Sequence, residues 1–200
     1  MRVSKQKAAQ NRRRILTAAS RLFRENGVDA CGIDAITGEA GLTHGAFYSH
    51  FESKDAAVTE AIRLALETSR EALRSTARGG TRKRRFASVV DAYLGPGHRD
   101  SRGKGCVIAA LGPDIARQPK RVRVAFTVGL KQSLALLADL APGRDAERRY
   151  DDAIAALSCM AGALILARAV DEEAFSRRIL LTAARRLNRA ERFRARPGPS

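Results

Sequence analysis

Apolar positions in the first part of the chain recur at intervals of three and four. Ile15, Leu16, Ala19, Leu22 and Phe23 form one stripe, and Gly27 follows as a stop, so the pattern predicts a helix over Gln6–Asn26. After a connection at 28–32, a short apolar run over Ile33–Ala40 ends at Gly41, a residue suited to the left-handed backbone of a tight turn. Thr43 is placed to cap the next segment, His44–Phe51, through its side-chain oxygen, and Phe47 and Phe51 fall four apart on one face. Ser53 repeats the capping signal before a long stripe of Ala57, Val58, Ala61, Ile62, Leu64, Ala65 and Leu73 that fades near Arg78–Gly80.

Gly and Pro clusters divide the rest into helices expected over Arg82–Leu94, Gly105–Arg117, Pro119–Leu140, Asp145–Val170 and Glu172–Arg194. Pro119 suits a first helical position, where no N–H donor is needed, and Pro142-Gly143 suits a break between helices. Gly95–Gly103 is expected to be the longest internal loop, either bordering a pocket or mobile. No segment alternates as a strand would and no repeat is present, so the expected fold is all-α.

Composition agrees with helices, since the 44% apolar residues are mainly Ala and Leu. Charge adds a partner class: a formal net charge of +16 attracts polyanions, and Lys and Arg that neutralise phosphates release counterions. For the leading basic residues Lys5, Lys7, Arg12, Arg13 and Arg14, contact with DNA backbone or a minor groove and simple solvation stand side by side. Three widely separated cysteines, Cys31, Cys106 and Cys159, with no metal-ligand spacing, argue against a disulfide framework or structural zinc and suit a reducing cytoplasm. The first residues lack an apolar run of signal-peptide length, and Cys159, Gly162 and Arg168 interrupt the Ala-rich stretch Ile154–Val170, so neither export nor membrane insertion is expected. No metal triad, nucleophile elbow or phosphate loop is evident, so the expectation is a protein without enzymatic activity, metal or cofactor.

The stretch IDAITGEAGLTHGAFYSHFESKDAAV holds a short helix, a Gly turn, a second short helix and a capped third, which is the helix-turn-helix pattern. Together with ILTAASRLFRENG before it, this run resembles the N-terminal domain of TetR-family transcriptional regulators over roughly the first quarter of the chain. The resemblance implies an N-terminal three-helix DNA-binding domain over 1–52, a C-terminal helical ligand-binding and dimerisation domain over 53–194, and a flexible tail over 195–200. It also implies a homodimeric repressor that binds a palindromic double-stranded DNA operator and is released by a small-molecule inducer.

On the same comparison, Thr43, His44, Gly45, Ala46, Tyr48 and Ser49 lie on or beside the groove-facing side of the recognition helix, while His50 and Lys54 match phosphate-contacting positions. Physically, His44 can donate or accept at a base edge, Tyr48 can reach a phosphate or a thymine methyl, and Gly45 and Ala46 allow close approach. A partly buried role beside Phe47 and Phe51 stands as the alternative for Tyr48 and His50. Gly32 departs from the family pattern, in which Ser or Thr often caps the second helix, so that side-chain oxygen is missing.

For the body, the resemblance points to a dimer interface on the last two helices. Their apolar residues include Ile154, Leu157, Ala161, Leu164, Ile165, Phe175, Ile179, Leu180, Ala183 and Leu187, some of which must fill the chain's own core. A pocket lined by Phe86, Val90, Tyr93, Cys106, Val107, Leu111, Phe126, Leu130, Leu134 and Met160 is expected, although the same set describes an ordinary helical core. Cys106 begins a helix in GKGCV, where helix-end charge and Lys104 would favour thiolate. Redox sensing and a packing thiol are the alternatives.

Overall fold

The computed structural model describes residues 5–141, 143 and 145–194; the expected tail at 195–200 and Pro142 lie outside the described residues. Its helices are α1 (Lys5–Asn26), α2 (Ile33–Glu39), α3 (His44–Tyr48), α4 (Lys54–Thr76), α5 (Arg82–Tyr93), α6 (Pro96–Asp100), α7 (Val107–Ala116), α8 (Lys120–Leu140), α9 (Ala146–Ala169) and α10 (Glu173–Arg194). Among the described residues there is no strand, as the hydrophobic pattern predicts.

Three local expectations need correction. The 95–103 segment is not a loop: Gly95 caps α6, Pro96 occupies its first turn, and a 3-10 turn follows at Arg102–Lys104. Proline at a helix start needs no N–H partner, so the same residue that reads as a breaker begins a helix here. The helix expected over His44–Phe51 stops at Tyr48, three residues before Phe51, and Phe51 N–H donates to the Phe47 carbonyl just past its end. Thr43 has the extended backbone of a cap, yet its side chain makes no capping hydrogen bond. Ser53 does cap, accepting from Ala56 N–H at 3.1 Å.

The chain packs as two compact units. The first holds the residues up to Thr68 together with Arg102–Gly129, so it joins α1–α3 and most of α4 to α7 and the first half of α8. Its core collects Ile15, Ala19 and Phe23 from α1, Ile36 from α2, Phe47 from α3, Val58 and Ile62 from α4, Val107 and Leu111 from α7, and Val122 from α8. Those of α1 and α4 are the stripes that the three-and-four spacing marks. α4 and α8 come close where Gly129 has no side chain, since a Cβ there would overlap Leu66.

The second unit holds Ser69–Ser101 and the described residues from Leu130 onward. In it α10 packs along α9 and against α5, while α6 packs on α5 and α9. Thr81 caps α5 by accepting from Arg84 N–H, and Asp145 caps α9 by accepting from Arg148 N–H at 2.8 Å. Arg99 anchors α6: it pairs with Asp100 and with Glu173 of α10 and donates to Ser176, whose hydroxyl donates to the Ala167 carbonyl. Arg168 donates to the carbonyls of His98 and Arg99, answering backbone acceptors at the end of this short helix. α9 has the length and mean hydropathy of a membrane span, a description that core helices of bundles also meet; here its Ala153, Leu157, Met160 and Leu164 are buried.

Candidate nucleic-acid interface

The turn between α2 and α3 depends on Gly41, which has φ +61°. A Cβ there would both strain the backbone and meet the Arg14 guanidinium at 2.7 Å. Gly41 N–H donates to the Gly38 carbonyl and Leu42 N–H to the Thr37 carbonyl, so the end of α2 is satisfied without a longer loop.

Phe47 and Phe51 dock α3. Both are buried, their ring centroids lie 5.3 Å apart, and Tyr48 meets Phe47 edge-on at 5.5 Å. With that side fixed inward, the other side of α3 is presented to solvent. Tyr48 is 56% exposed, and Thr43, His44, Gly45 and Ser49 are exposed with it. A Cβ at Gly45 would meet nothing within 4 Å, so packing within the chain does not require glycine there.

The remaining predicted positions are less open. Ala46 and His50 are half-buried, and Lys54, the first residue of α4, is half-buried as well. Ser49 donates its hydroxyl hydrogen to the Ala46 carbonyl, which leaves its oxygen as an acceptor. His44 Nδ1 lies 2.5 Å from Asp34 Oδ1, and its ring centroid lies 5.7 Å from that of Tyr48. Asp34 carries no periodic or capping signal that would have marked it in the sequence.

The basic leading stretch divides. Arg12 turns inward: its guanidinium donates to both carboxylate oxygens of Glu60 on α4 and lies 4.8 Å from the Phe51 ring centroid. Arg12 is thus a brace between α1, Phe51 in the connection after α3, and α4. Arg13 and Arg14 remain exposed and, with Gln10, Thr17, Arg21 and Glu39, line an open groove of about 410 Å³.

Further ties join this head to the later helices of its unit. Arg24 of α1 donates to the Gly103 carbonyl at 2.8 Å, Gln118 donates to Asp29, and Arg121 pairs with Glu52 at 3.4 Å. Burial pushes the Arg24 guanidinium below its ordinary value, partly offset by its neighbours Cys106 and Glu25. Cys106 itself is buried at the cap of α7 without making a capping bond. Cys31, in the connection before α2, is also buried, and that burial raises its thiol.

The expected pocket residues are drawn from both units. Cys106, Val107, Leu111 and Phe126 belong to the first unit, where Val107 and Leu111 complete the core under α1. Phe86, Val90, Tyr93, Leu130, Leu134 and Met160 belong to the second. Of the expected interface residues, Leu157, Ala161 and Leu164 are buried in the chain itself, as is Leu180. Ile179, Ala183 and Leu187 are half-buried, whereas Ile154, Ile165 and Phe175 are exposed. Leu166 and Leu181 are exposed too, at 57% and 53%, and periodicity alone does not single them out. Among the described residues no group of His, Cys, Asp and Glu is placed to hold a metal ion.

Residues 15–61 match the family model described as bacterial regulatory proteins, tetR family. The chain is 46% identical over 54 residues to the HTH-type transcriptional repressor BepR of Brucella suis, an alignment covering 27% of this chain and 26% of that protein. It is 43% identical over 53 residues to the HTH-type transcriptional regulator AcrR of Shigella flexneri, covering 26% of this chain and 25% of that one. The chain therefore spans about a quarter of the length of these curated relatives. In fold the likeness is far longer: a TetR-family transcriptional regulator from Cytophaga hutchinsonii superposes with a TM-score of 0.77 at 17% identity, over 95% of this chain and 98% of that one.

Proposed function

We propose that this chain is a member of the TetR family of bacterial regulatory proteins, whose model its residues 15–61 match, and that it is a dimeric, sequence-specific repressor that a small molecule releases from a palindromic operator. The observation that carries the proposal is the two-sided recognition helix. Phe47 is locked into the core while His44, Gly45 and Tyr48 stand outward on a helix held by a tight Gly turn. A helix docked this way can enter a major groove, where base edges carry distinguishable donors and acceptors.

In this reading residues 1–52 read DNA and 53–194 form the regulatory body. Thr43, His44, Gly45, Ala46, Tyr48 and Ser49 face the groove, and His50 and Lys54 meet phosphates, Lys54 from a helix N-terminus that favours anions. Two heads are needed for a palindrome. Ile154, Ile165 and Phe175, with Leu166 and Leu181, supply exposed apolar surface on α9 and α10 for a second copy. The inducer site is assigned to the second unit, among Phe86, Val90, Tyr93, Leu130 and Met160, which supply an apolar lining with one phenol. An inducer must bind the DNA-incompetent arrangement more tightly, or it shifts nothing. A regulator of this kind works in the cytoplasm, on chromosomal DNA.

The test is selection of bound sequences from a random duplex library, followed by competition against scrambled DNA at fixed salt. An enriched near-palindrome bound by two chains supports the proposal. A folded dimer that binds every duplex alike would instead mark a non-specific DNA-binding protein.

A further inference from the structure

His44 stands between two neighbours. Its Nδ1 meets Asp34 across the Gly41 turn, ten residues away in sequence, and its ring leans on Tyr48 at a 45° tilt. Neither member of the His–Asp pair is in the core, since their side chains are 52% and 85% exposed. Asp34 does not cap α2 either, because Gly32 holds the cap position. The contact therefore fixes the ring at little benefit to folding, on the side of α3 that carries Tyr48 rather than Phe47.

An ionised carboxylate can only accept, so the hydrogen between the two side chains belongs to His44 Nδ1. In the neutral imidazole this leaves Nε2 with a lone pair and no hydrogen. In the major groove, the groups that can donate to such an atom are the N6 amine of adenine and the N4 amine of cytosine. We propose that Asp34 is a positioning residue that sets the tautomer and orientation of His44, so that His44 reads a base amine through Nε2. The inference rests on the reading that α3 enters the major groove. Without Asp34 the ring can turn and exchange tautomers, and it then meets base amines and base carbonyls on equal terms.

Base-pair preference alone does not test this, because every Watson–Crick pair shows both an amine and a carbonyl in the major groove. The experiment is an atom-by-atom cycle at alkaline pH, which favours the neutral form of an imidazole. The best site of the wild-type protein is selected, and the position that loses its preference in His44→Ala is located. There the base amine is replaced by hydrogen, using purine for adenine or 2-pyrimidinone for cytosine. Affinities are measured for wild type, His44→Ala, Asp34→Ala and Asp34→Asn.

Loss of the amine is expected to weaken wild-type binding about tenfold, the worth of one good hydrogen bond. The same loss should cost His44→Ala and Asp34→Ala less than about threefold. Asp34→Asn, whose amide oxygen still accepts from Nδ1–H, should recover part of the effect, which a merely structural role for Asp34 would not predict. An undiminished amine effect in Asp34→Ala overturns the positioning role. An effect that follows the base carbonyl instead overturns the tautomer. If the wild-type protein enriches no site at all, the failure lies with the regulator reading itself.

Discussion

Phe47 and Tyr48 are adjacent aromatic residues whose replacement by alanine should give opposite results. The Phe47 side chain is fully buried in the first unit's core, packed against the Phe51 and Tyr48 rings. Removing it loses the transfer energy of a phenyl group and leaves a cavity, about 3–5 kcal/mol in comparable cores. Since a native protein is stable by only about 5–15 kcal/mol, this is a large fraction of the total. At roughly 2–4 °C per kcal/mol for a chain of this length, the unfolding midpoint should fall by about 6–20 °C.

Tyr48, at 56% exposure, loses mainly an edge-on ring contact, so Tyr48→Ala should cost about 1 kcal/mol or less in stability. Its effect should appear in DNA binding, about 1–3 kcal/mol per protomer, or roughly 5- to 150-fold. Thermal unfolding followed by circular dichroism measures the first quantity. Fluorescence anisotropy on the selected operator, with the dimer confirmed by sedimentation, measures the second. If Tyr48→Ala unfolds as early as Phe47→Ala, or binds operator like wild type, the two-sided picture of α3 is refuted.

Four further results are expected. Arg12→Ala should destabilise the head by about 1–2 kcal/mol, combining a part-exposed bidentate ion pair with a cation–π contact; Arg12→Lys should recover less than half, as urea denaturation will read. Gly45→Ala should leave stability unchanged or raise it by up to about 1 kcal/mol, because the site has room and alanine favours helix, yet it should weaken operator binding by holding the helix off the groove floor; equal affinity would remove Gly45 from the interface. Lys54→Ala should weaken binding to all sequences alike and reduce the slope of log affinity against log salt by about 1; an unchanged slope would show that Lys54 meets no phosphate. Burial, with a smaller contribution from Arg168, holds His98 below its ordinary value near 6.5, against the opposing bond to the Tyr93 carbonyl, so the unfolded chain takes up this proton first. That stability is fully present above about pH 6.5 and declines as pH falls from there towards the folded value, so the unfolding midpoint should drop between about pH 7 and 5 and drop less in His98→Gln.

Much of the fold was legible because apolar side chains announce their burial by spacing. Ile15, Ala19 and Phe23 on α1 and Val58 and Ile62 on α4 recur at the intervals of one helical face, and they are the residues that meet in the core. Spacing does not tell which core a residue joins. Val107 and Leu111 read equally as pocket lining or as helical core, and they join the core of the first unit, because α7 returns to it after a long excursion in sequence. Nor does spacing separate a proline that ends a structure from one that begins it, which is why α6 was missed. On α3, spacing marked Phe47 as inward and the family resemblance put Tyr48 outward, whereas the Asp34–His44 pair depends on how two short helices cross at a turn.

Arginine shows the same limit for charge. The net charge of +16 is a property of the sequence, but the structure ties several of these cations to partners within the chain. Arg12 braces α4, Arg21 pairs with Glu25 and Glu39, Arg24 holds the Gly103 carbonyl, and Arg99 and Arg168 fasten α6 in the second unit. A guanidinium suits such work because its planar fork can satisfy several acceptors at once. Counterion release, however, counts only the phosphates that a protein neutralises. Salt dependence should therefore track the few cations at the head, such as Lys54 and the exposed Arg13 and Arg14, and fall well short of what +16 would suggest. In the proposed reading, phosphate contacts of this kind set affinity, and choice of a site falls to the groups on α3, with His44 held by Asp34 and Tyr48 beside it.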